Sequence, residues 1–279
     1  MLNVREMLPE DFEFAVRLAN TMNWNLAAED FEFALELEPR GCFTLLHNSE
    51  RTGIVTTVSY GRIGWFGNLI VNERYRKRGG GTKLAGHAVK YLEGRKVETI
   101  GIYAYTHTVP FYERLGFEYD SDFIVLNGKG VPSAEVPDVK EANRGDIEKV
   151  VAYDRSCLGF SRRKLLEPIL LDEDNICYLS VEDGEIRGYL VAKVFRGMAE
   201  VGPLVCSQKF SETALELLRA PLNRLRGFEI SMCVHEKRTA LLEMLERNGF
   251  IESFRVARMF RGPKIDTGCI YMAESLERG

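Results

Sequence analysis

The chain has 279 residues, 45% of them hydrophobic and 28% charged, with a formal net charge of −4. That is the balance of a globular protein long enough for about two domains, each able to bury its own core. A net acidic chain is a poor general partner for nucleic acid or an anionic membrane. No apolar run reaches transmembrane length, and an N-terminus carrying Glu6, Glu10 and Asp11 lacks the form of a signal peptide, so a cytoplasmic protein is expected.

Residues 3–7 read as a strand and 9–20 as a helix in which Phe12, Ala15, Val16 and Ala19 share a helical face and should be core. The connection at 20–25 carries Trp24, which with Asp30 is a candidate binder of an organic cation or, equally, a packing anchor. A hairpin follows, pairing residues 42–47 with 53–60 across a turn at 48–52.

Then comes the most informative stretch. Apolar Leu69, Ile70 and Val71 lead into Arg76, Lys77, Arg78, Gly79, Gly80 and Gly81, and a helix begins near Thr82 with the stripe Leu84, Ala85, Ala88, Val89 and Leu92. Glycines let the backbone take positive φ and come close to a ligand, and the unpaired N–H groups of a helix start point outward. With three basic side chains beside them they form a concave positive site suited to a pyrophosphate. The Walker pattern is excluded because no Gly-Lys-Ser or Gly-Lys-Thr occurs, and the dinucleotide fingerprint because Leu84 stands where its third glycine would be.

Thr99–Tyr105, β-branched and aromatic, reads as a strand, and residues 109–117 as a short helix closed by Gly116. Strands at 69–71 and 99–105 joined through a helix should be parallel within a mixed sheet. Six cysteines (Cys42, Cys157, Cys177, Cys206, Cys233, Cys269) form no Cys-x-x-Cys pair and point to reduced, mostly buried thiols. The four histidines (His47, His87, His107, His235) share no metal-ligand spacing, so no metal site is expected, and His87 reads as a boundary residue.

The second half repeats the first. Val4-Arg5-Glu6-Met7-Leu8-Pro9-Glu10-Asp11 matches Val139-Lys140-Glu141-Ala142-Asn143-Arg144-Gly145-Asp146 at an offset of 135, and Gly53 falls on Gly188 and Leu69 on Leu204. Residues 178–183 and 189–195 then answer to the hairpin, while Gly116-Phe117 answers to Gly249-Phe250 at an offset of 133. The two lost residues fall across the glycine turn: residues 207–218 hold no glycine, one lysine and two glutamates that would repel phosphate, and Leu245 stands where Tyr112 does. The polar, turn-forming residues 127–133 are the natural linker and put the boundary near residue 134, dividing the chain into 1–134 and 135–279.

Arg76-x-x-Gly79-x-Gly81, followed by Phe111-Tyr112-Glu113-Arg114-Leu115-Gly116-Phe117, resembles the two signature motifs of the GCN5-related N-acetyltransferase (GNAT) superfamily. The resemblance implies an α/β, mixed α+β architecture of tandem acyl-CoA N-acyltransferase folds, each a mixed, splayed central sheet flanked by helices. Residues 1–127 look like a complete domain. Residues 135–279, through Gly202-Pro203-Leu204-Val205 and Arg258-Met259-Phe260-Arg261-Gly262, are similar to the degenerate domain that follows it in two-domain members.

It further implies acetyl-CoA as co-substrate and a primary amine, small or on a protein, as acceptor. Arg76, Lys77, Arg78, Gly79, Gly80, Gly81 and Thr82 would hold the pyrophosphate, the edge of Leu69, Ile70 and Val71 the pantetheine, and Tyr112 would protonate the departing thiolate. The amine would attack directly, without a covalent enzyme intermediate. Many members place a glutamate on the central strand as general base, but Gly64-Trp65-Phe66-Gly67-Asn68-Leu69-Ile70-Val71 has none. His107, of the one residue type whose intrinsic pKa lies near neutral, is one candidate base. A plain loop role for it, a proton wire through water, or a carboxylate from the second half stand as alternatives. The expected partners are acetyl-CoA and the amine, with no nucleic acid or membrane, in a monomer or homodimer. A non-catalytic acyl-CoA sensor and a transferase of another acyl group stay open.

Overall fold

The structure, a computed structural model, describes residues 1–132, 138–195 and 197–279. The first half runs β1 (Leu2–Glu6), α1 (Phe12–Asn20), α2 (Ala28–Leu37), β2 (Cys42–His47), β3 (Glu50–Tyr60), β4 (Ile63–Val71), α3 (Gly80–Gly94), β5 (Thr99–Tyr105), α4 (Val109–Glu113) and β6 (Glu118–Lys129). The second follows as β7 (Val139–Glu141), α5 (Ile147–Leu158), α6 (Arg163–Leu171), β8 (Ile176–Glu182), β9 (Glu185–Phe195), β10 (Met198–Cys206), α7 (Ser211–Arg224), β11 (Glu229–His235), α8 (Thr239–Arg247), β12 (Ile251–Arg261) and β13 (Ile270–Met272). The offset of 135 read from sequence carries β3 onto β9 and β4 onto β10, end for end.

Local chemistry explains the elements. The stripe Leu84, Ala85, Ala88, Val89 and Leu92 is buried along α3, as its spacing requires. In α1 the buried residues are Ala15, Leu18 and Ala19; Phe12 and Val16, expected in the core, are half-buried at the edge of that face. The first hairpin turns on Asn48 and Ser49 alone, with Asn48 left-handed at φ 57°, so β3 starts three residues before the expected 53.

The strands of the described residues join one 13-stranded sheet in the order β1-β2-β3-β4-β5-β12-β6-β11-β13-β10-β9-β8-β7. Apart from β13 the order is symmetric about the central pair β12–β6. These two equivalent strands are exchanged, each lying on the sheet of the other half: β12 pairs antiparallel with β5, and β6 with β11. Residues 127–129, expected in the linker, are therefore strand, because Asn127 and Gly128 find partners in Ser231 and Ile230 of the other half. The expected boundary near 134, with Ser133, lies outside the described residues.

Side chains alternate across these exchanged strands, which locks the halves together. Ala257 and Met259 of β12 complete the core under α3, while Ile124 and Leu126 of β6 complete the core under α7. Phe123, Val125, Val256 and Phe260 point the other way, into a core shared by Tyr60 and Trp65 of the first half and Val150, Leu165 and Tyr189 of the second. The two separate cores expected from length are thus each finished by the opposite half. A half-buried ion pair crosses the same boundary: Lys164 on α6 donates to the buried Glu38 at 2.6 Å and to the Leu37 carbonyl at 2.9 Å.

The repeat extends to polar contacts. The wholly buried Asp11 carboxylate accepts from Arg5 at 2.6 and 2.8 Å, Arg51 at 2.5 Å and the Leu8 amide at 2.9 Å, and Asp146 takes Lys140 at 3.1 Å and the Asn143 amide at 3.2 Å. Burial opposes ionisation of Asp11, but the Arg5 and Arg51 guanidinium groups and the Leu8 amide overcome it and hold the carboxyl well below its ordinary range. Such a depressed group stabilises the fold above the unfolded carboxylate pKa and ceases to do so as pH falls through its own. Asp11→Asn should cost about 2 kcal/mol at pH 7 in urea unfolding, less than a fully buried pair because both arginines keep contact with water. The difference from wild type should shrink as the pH is lowered below the ordinary carboxylate range.

Candidate functional site

The site grows from a split in the sheet. β4 and β5 are parallel partners only from Ile63↔Thr99 to Trp65↔Gly101. Beyond that, Asn68 and Leu69 together oppose Val55 of β3, a β-bulge with Asn68 left-handed at φ 51°, and β4 turns away from β5. Among the described residues no strand pairs with the β5-facing edge of Leu69, Ile70 and Val71, so that edge borders an open gap.

The glycine turn stands at the end of that gap. Lys77 (φ 59°) and Gly79 (φ 80°) are both left-handed, and Gly79 is the N-cap of α3. The first amide of α3 bonded within the helix is that of Lys83, to the Gly79 carbonyl at 2.9 Å, which leaves the N–H groups of Gly80, Gly81 and Thr82 turned outward. Arg76, Lys77, Arg78 and Gly79 are exposed. Arg76 folds back so that its Nε donates to the Val71 carbonyl at 3.0 Å, tying the turn to the strand, while Arg78 lies over the Tyr75 ring. A Cβ on Gly80 would press on Leu45 at 2.9 Å, whereas one on Gly81 would meet only the Phe111 ring at 3.7 Å, an ordinary contact. Gly81 is thus not required by packing.

Tyr112 lies on α4 among Phe66, Phe111 and Phe117, on the α3 side of the sheet. Its hydroxyl has no hydrogen-bond partner among the described residues, and burial pushes the phenol well above its ordinary range, so it keeps its proton through neutral pH. His107 is exposed and stacked on Tyr105 at 5.7 Å, and Tyr105 packs against the shared core on the opposite face of the sheet from Tyr112. Trp24 Nε1 donates to the Tyr105 hydroxyl at 2.8 Å, and Asp30 is engaged at the start of α2, accepting from the Ala27 amide at 2.8 Å. The Trp24 ring is therefore an anchor that fixes the α1–α2 connection over β5, and Asp30 belongs to the helix end.

The second half makes the same split and then fills it. β10 and β11 are parallel from Met198↔Glu229 to Val201↔Met232, a bulge at Gly202-Pro203 repeats that at Asn68, and β13 enters the gap, Leu204 and Val234 both facing Met272. The Cys206 amide donates to the Cys269 carbonyl and the Ala273 amide to the Cys233 carbonyl, each at 3.0 Å. The edge equivalent to Leu69, Ile70 and Val71 is occupied by the chain itself. No left-handed residue precedes α7, and Leu245 takes the place of Tyr112, its carbonyl accepting from Phe250 as that of Tyr112 accepts from Phe117.

One feature was not legible from the motifs. After β13 the chain crosses to the first half, where Glu277 lies against Gly67 so closely that a Cβ on that glycine would sit 2.4 Å from the Glu277 Cα. Gly67 and Gly202 correspond at the offset of 135, and a Cβ on Gly202 would strike the Ala273 carbonyl at 2.1 Å. The paired glycines were the available signal. The six thiols are unpaired, and all but half-buried Cys157 are buried. No group of metal-ligating side chains occurs among the described residues, and no helix there is long and apolar enough to cross a membrane.

Two sequence profiles match the chain: that of the acetyltransferase (GNAT) family over residues 3–117 and that of an acetyltransferase (GNAT) domain over 150–271. No curated protein matches in sequence. Among solved structures, a Pyrococcus horikoshii protein described as a candidate acetyltransferase is 23% identical, with a TM-score of 0.83 over 100% of this chain and 96% of that one. A GCN5-related N-acetyltransferase from Sphaerobacter thermophilus is 16% identical, TM-score 0.71, over 95% and 97%. A tandem GNAT protein from the clavulanic acid biosynthesis pathway is 14% identical, TM-score 0.64, over 95% and 100%. At these identities the likeness is one of fold.

Because Gly81 has room for a side chain and Gly79 does not have the backbone for one, the two separate folding from binding. Gly81→Val should leave the unfolding free energy within about 1 kcal/mol of wild type, since Val is no worse than Gly in a helix. It should weaken coenzyme A binding at least about tenfold, roughly 1.4 kcal/mol, in calorimetry. Unchanged affinity in that variant would remove the turn from the site.

Proposed function

Because the chain belongs to the acetyltransferase (GNAT) family, we propose that residues 1–134 carry an N-acetyltransferase that moves the acetyl group of acetyl-CoA directly onto a primary amine. Residues 135–279 form its degenerate, non-binding copy. The observation that carries this reading is the open edge of Leu69, Ile70 and Val71, with outward N–H groups behind it, in the first half only. The equivalent edge of the second half is closed by β13.

The pyrophosphate is held by the amides of Gly80, Gly81 and Thr82, with Lys77 and Arg78 supplying positive charge and the α3 N-terminus its dipole. The pantetheine amides bond the edge at 69–71 as an added strand would. The thioester carbon is attacked by a neutral amine: the N–C bond forms, the C–S bond breaks, the thiolate takes the Tyr112 proton, and the proton shed by the acylated nitrogen restores the Tyr112 hydroxyl through solvent. Tyr112 suits that task because its hydroxyl has no protein partner to lose and stays protonated at neutral pH.

Tyr112→Phe should lower kcat about 100-fold, the usual weight of one positioned proton donor, while acetyl-CoA affinity stays within about twofold. Thiol release with an amine panel measures the first and calorimetry the second. Calorimetry on the wild type should also find one acetyl-CoA site per chain.

A further inference from the structure

β4 itself carries no carboxylate or histidine, and the face it turns toward the core shared by the two halves is covered by residues 277–279. β4 side chains alternate: Phe66 faces the α3 core, whereas Trp65 faces the core shared by the two halves, where it stacks on Tyr103 at 5.1 Å. Gly67 belongs to the second face and stands at the bulge where the strands part. Only the absence of a side chain there lets Glu277 lie directly on the strand.

We propose that Glu277, supplied by the second half, is the general base that takes the proton from the acceptor ammonium beside the β4 bulge. This rests on the acetyltransfer reading above. The carboxylate takes one proton from R–NH3⁺, the resulting amine forms the amide bond as the C–S bond breaks, and the Glu277 carboxylic acid returns its proton to water after the product leaves.

The surroundings fit the task. Glu277 Oε1 is bound by Arg278 at 2.7 Å, and Arg278 is shared with Glu274, to which its Nε donates at 3.0 Å. Lys193 on β9 is shared in turn between Glu274 at 2.6 Å and Glu200 on β10 at 2.8 Å. Three carboxylates, Glu274 buried and Glu200 and Glu277 half-buried, therefore meet two cations, leaving one negative charge for an incoming ammonium. Glu274 is spoken for: burial opposes its charge, but Arg278 and Lys193 hold its carboxyl far below the usual range. Glu277 moves the opposite way. Desolvation is the main cause, Glu200 and Glu274 add to it, and Arg278 and Lys193 only partly offset it, so its carboxyl is raised. A base with a raised pKa is a better proton acceptor at neutral pH than an ordinary carboxylate.

The test is the pH profile of kcat/KM with the most active amine of the panel. In the wild type it should fall as pH drops through the Glu277 pKa, which burial raises from its ordinary value. Glu277→Gln, which keeps the shape that packs on Gly67, should lower kcat about 100-fold, erase that acidic limb, and leave acetyl-CoA affinity and the unfolding midpoint unchanged. Glu277→Asp should recover part of the rate and restore the limb. If Glu277→Gln keeps the wild-type rate and limb, or if the limb is instead lost in His107→Ala, the assignment is overturned while acetyl transfer stands. A wild type that binds acetyl-CoA yet acetylates no amine overturns the acetyltransfer reading, and the base with it.

Discussion

A strand edge must have its N–H and C=O groups paired, and the two halves of this protein meet that requirement in opposite ways. At residues 204–206 the edge exposed by the splay of β10 and β11 is satisfied by β13 and its flanking residues, through backbone bonds of 3.0 Å. At residues 69–71 the same edge, exposed by the same kind of bulge, faces an open gap. One half carries a built-in occupant; the other is shaped for an external one. The difference in glycine content between the two turns follows the same division, with the left-handed Gly79 at the turn beside the open edge and no glycine at 207–210 beside the filled one.

The exchanged strands explain why a half that has lost its binding turn is retained. β6 and β12 run antiparallel over most of their length at the centre of the sheet, and each completes the hydrophobic core of the opposite half. Removing the second half would expose the β5 edge, the shared core around Trp65 and Phe260, and the Glu38 carboxylate that Lys164 neutralises. It would also remove Glu277 and Gly279, which lie on Gly67 and Trp65 of β4, and Arg278, whose carbonyl accepts from the Tyr60 hydroxyl at 2.9 Å. The strip of chain that leaves the closed edge of one half thus ends on the central strand of the other.

Much of this was legible in the residues. The glycine turn, the α3 stripe, the Tyr112 helix and the offset of 135 depend on local spacing, and the equivalence reaches even the Asp11 and Asp146 clusters. What escaped was non-local. Residues 127–129 look like linker because Asn-Gly-Lys-Gly favours turns, yet a strand forms there once β11 offers partners. Nothing in the local pattern of 118–129 or 251–261 says that each strand pairs beyond its own half, and residues 263–279 lack any periodicity that would announce a strand filling the gap of one half and a segment lying on Gly67 of the other. Gly67 and Gly202, unremarked as a pair, were the sequence trace of that path.

Backbone amide exchange on the whole chain, with and without coenzyme A, probes the central contrast most directly. Amides 204–206 should be protected before any ligand is added and should not change, while the amides of Leu69, Val71 and residues 80–82 should exchange readily and become protected on binding. Ligand-induced protection at 204–206, or none at Leu69, Val71 and 80–82 at saturating coenzyme A, would contradict the account.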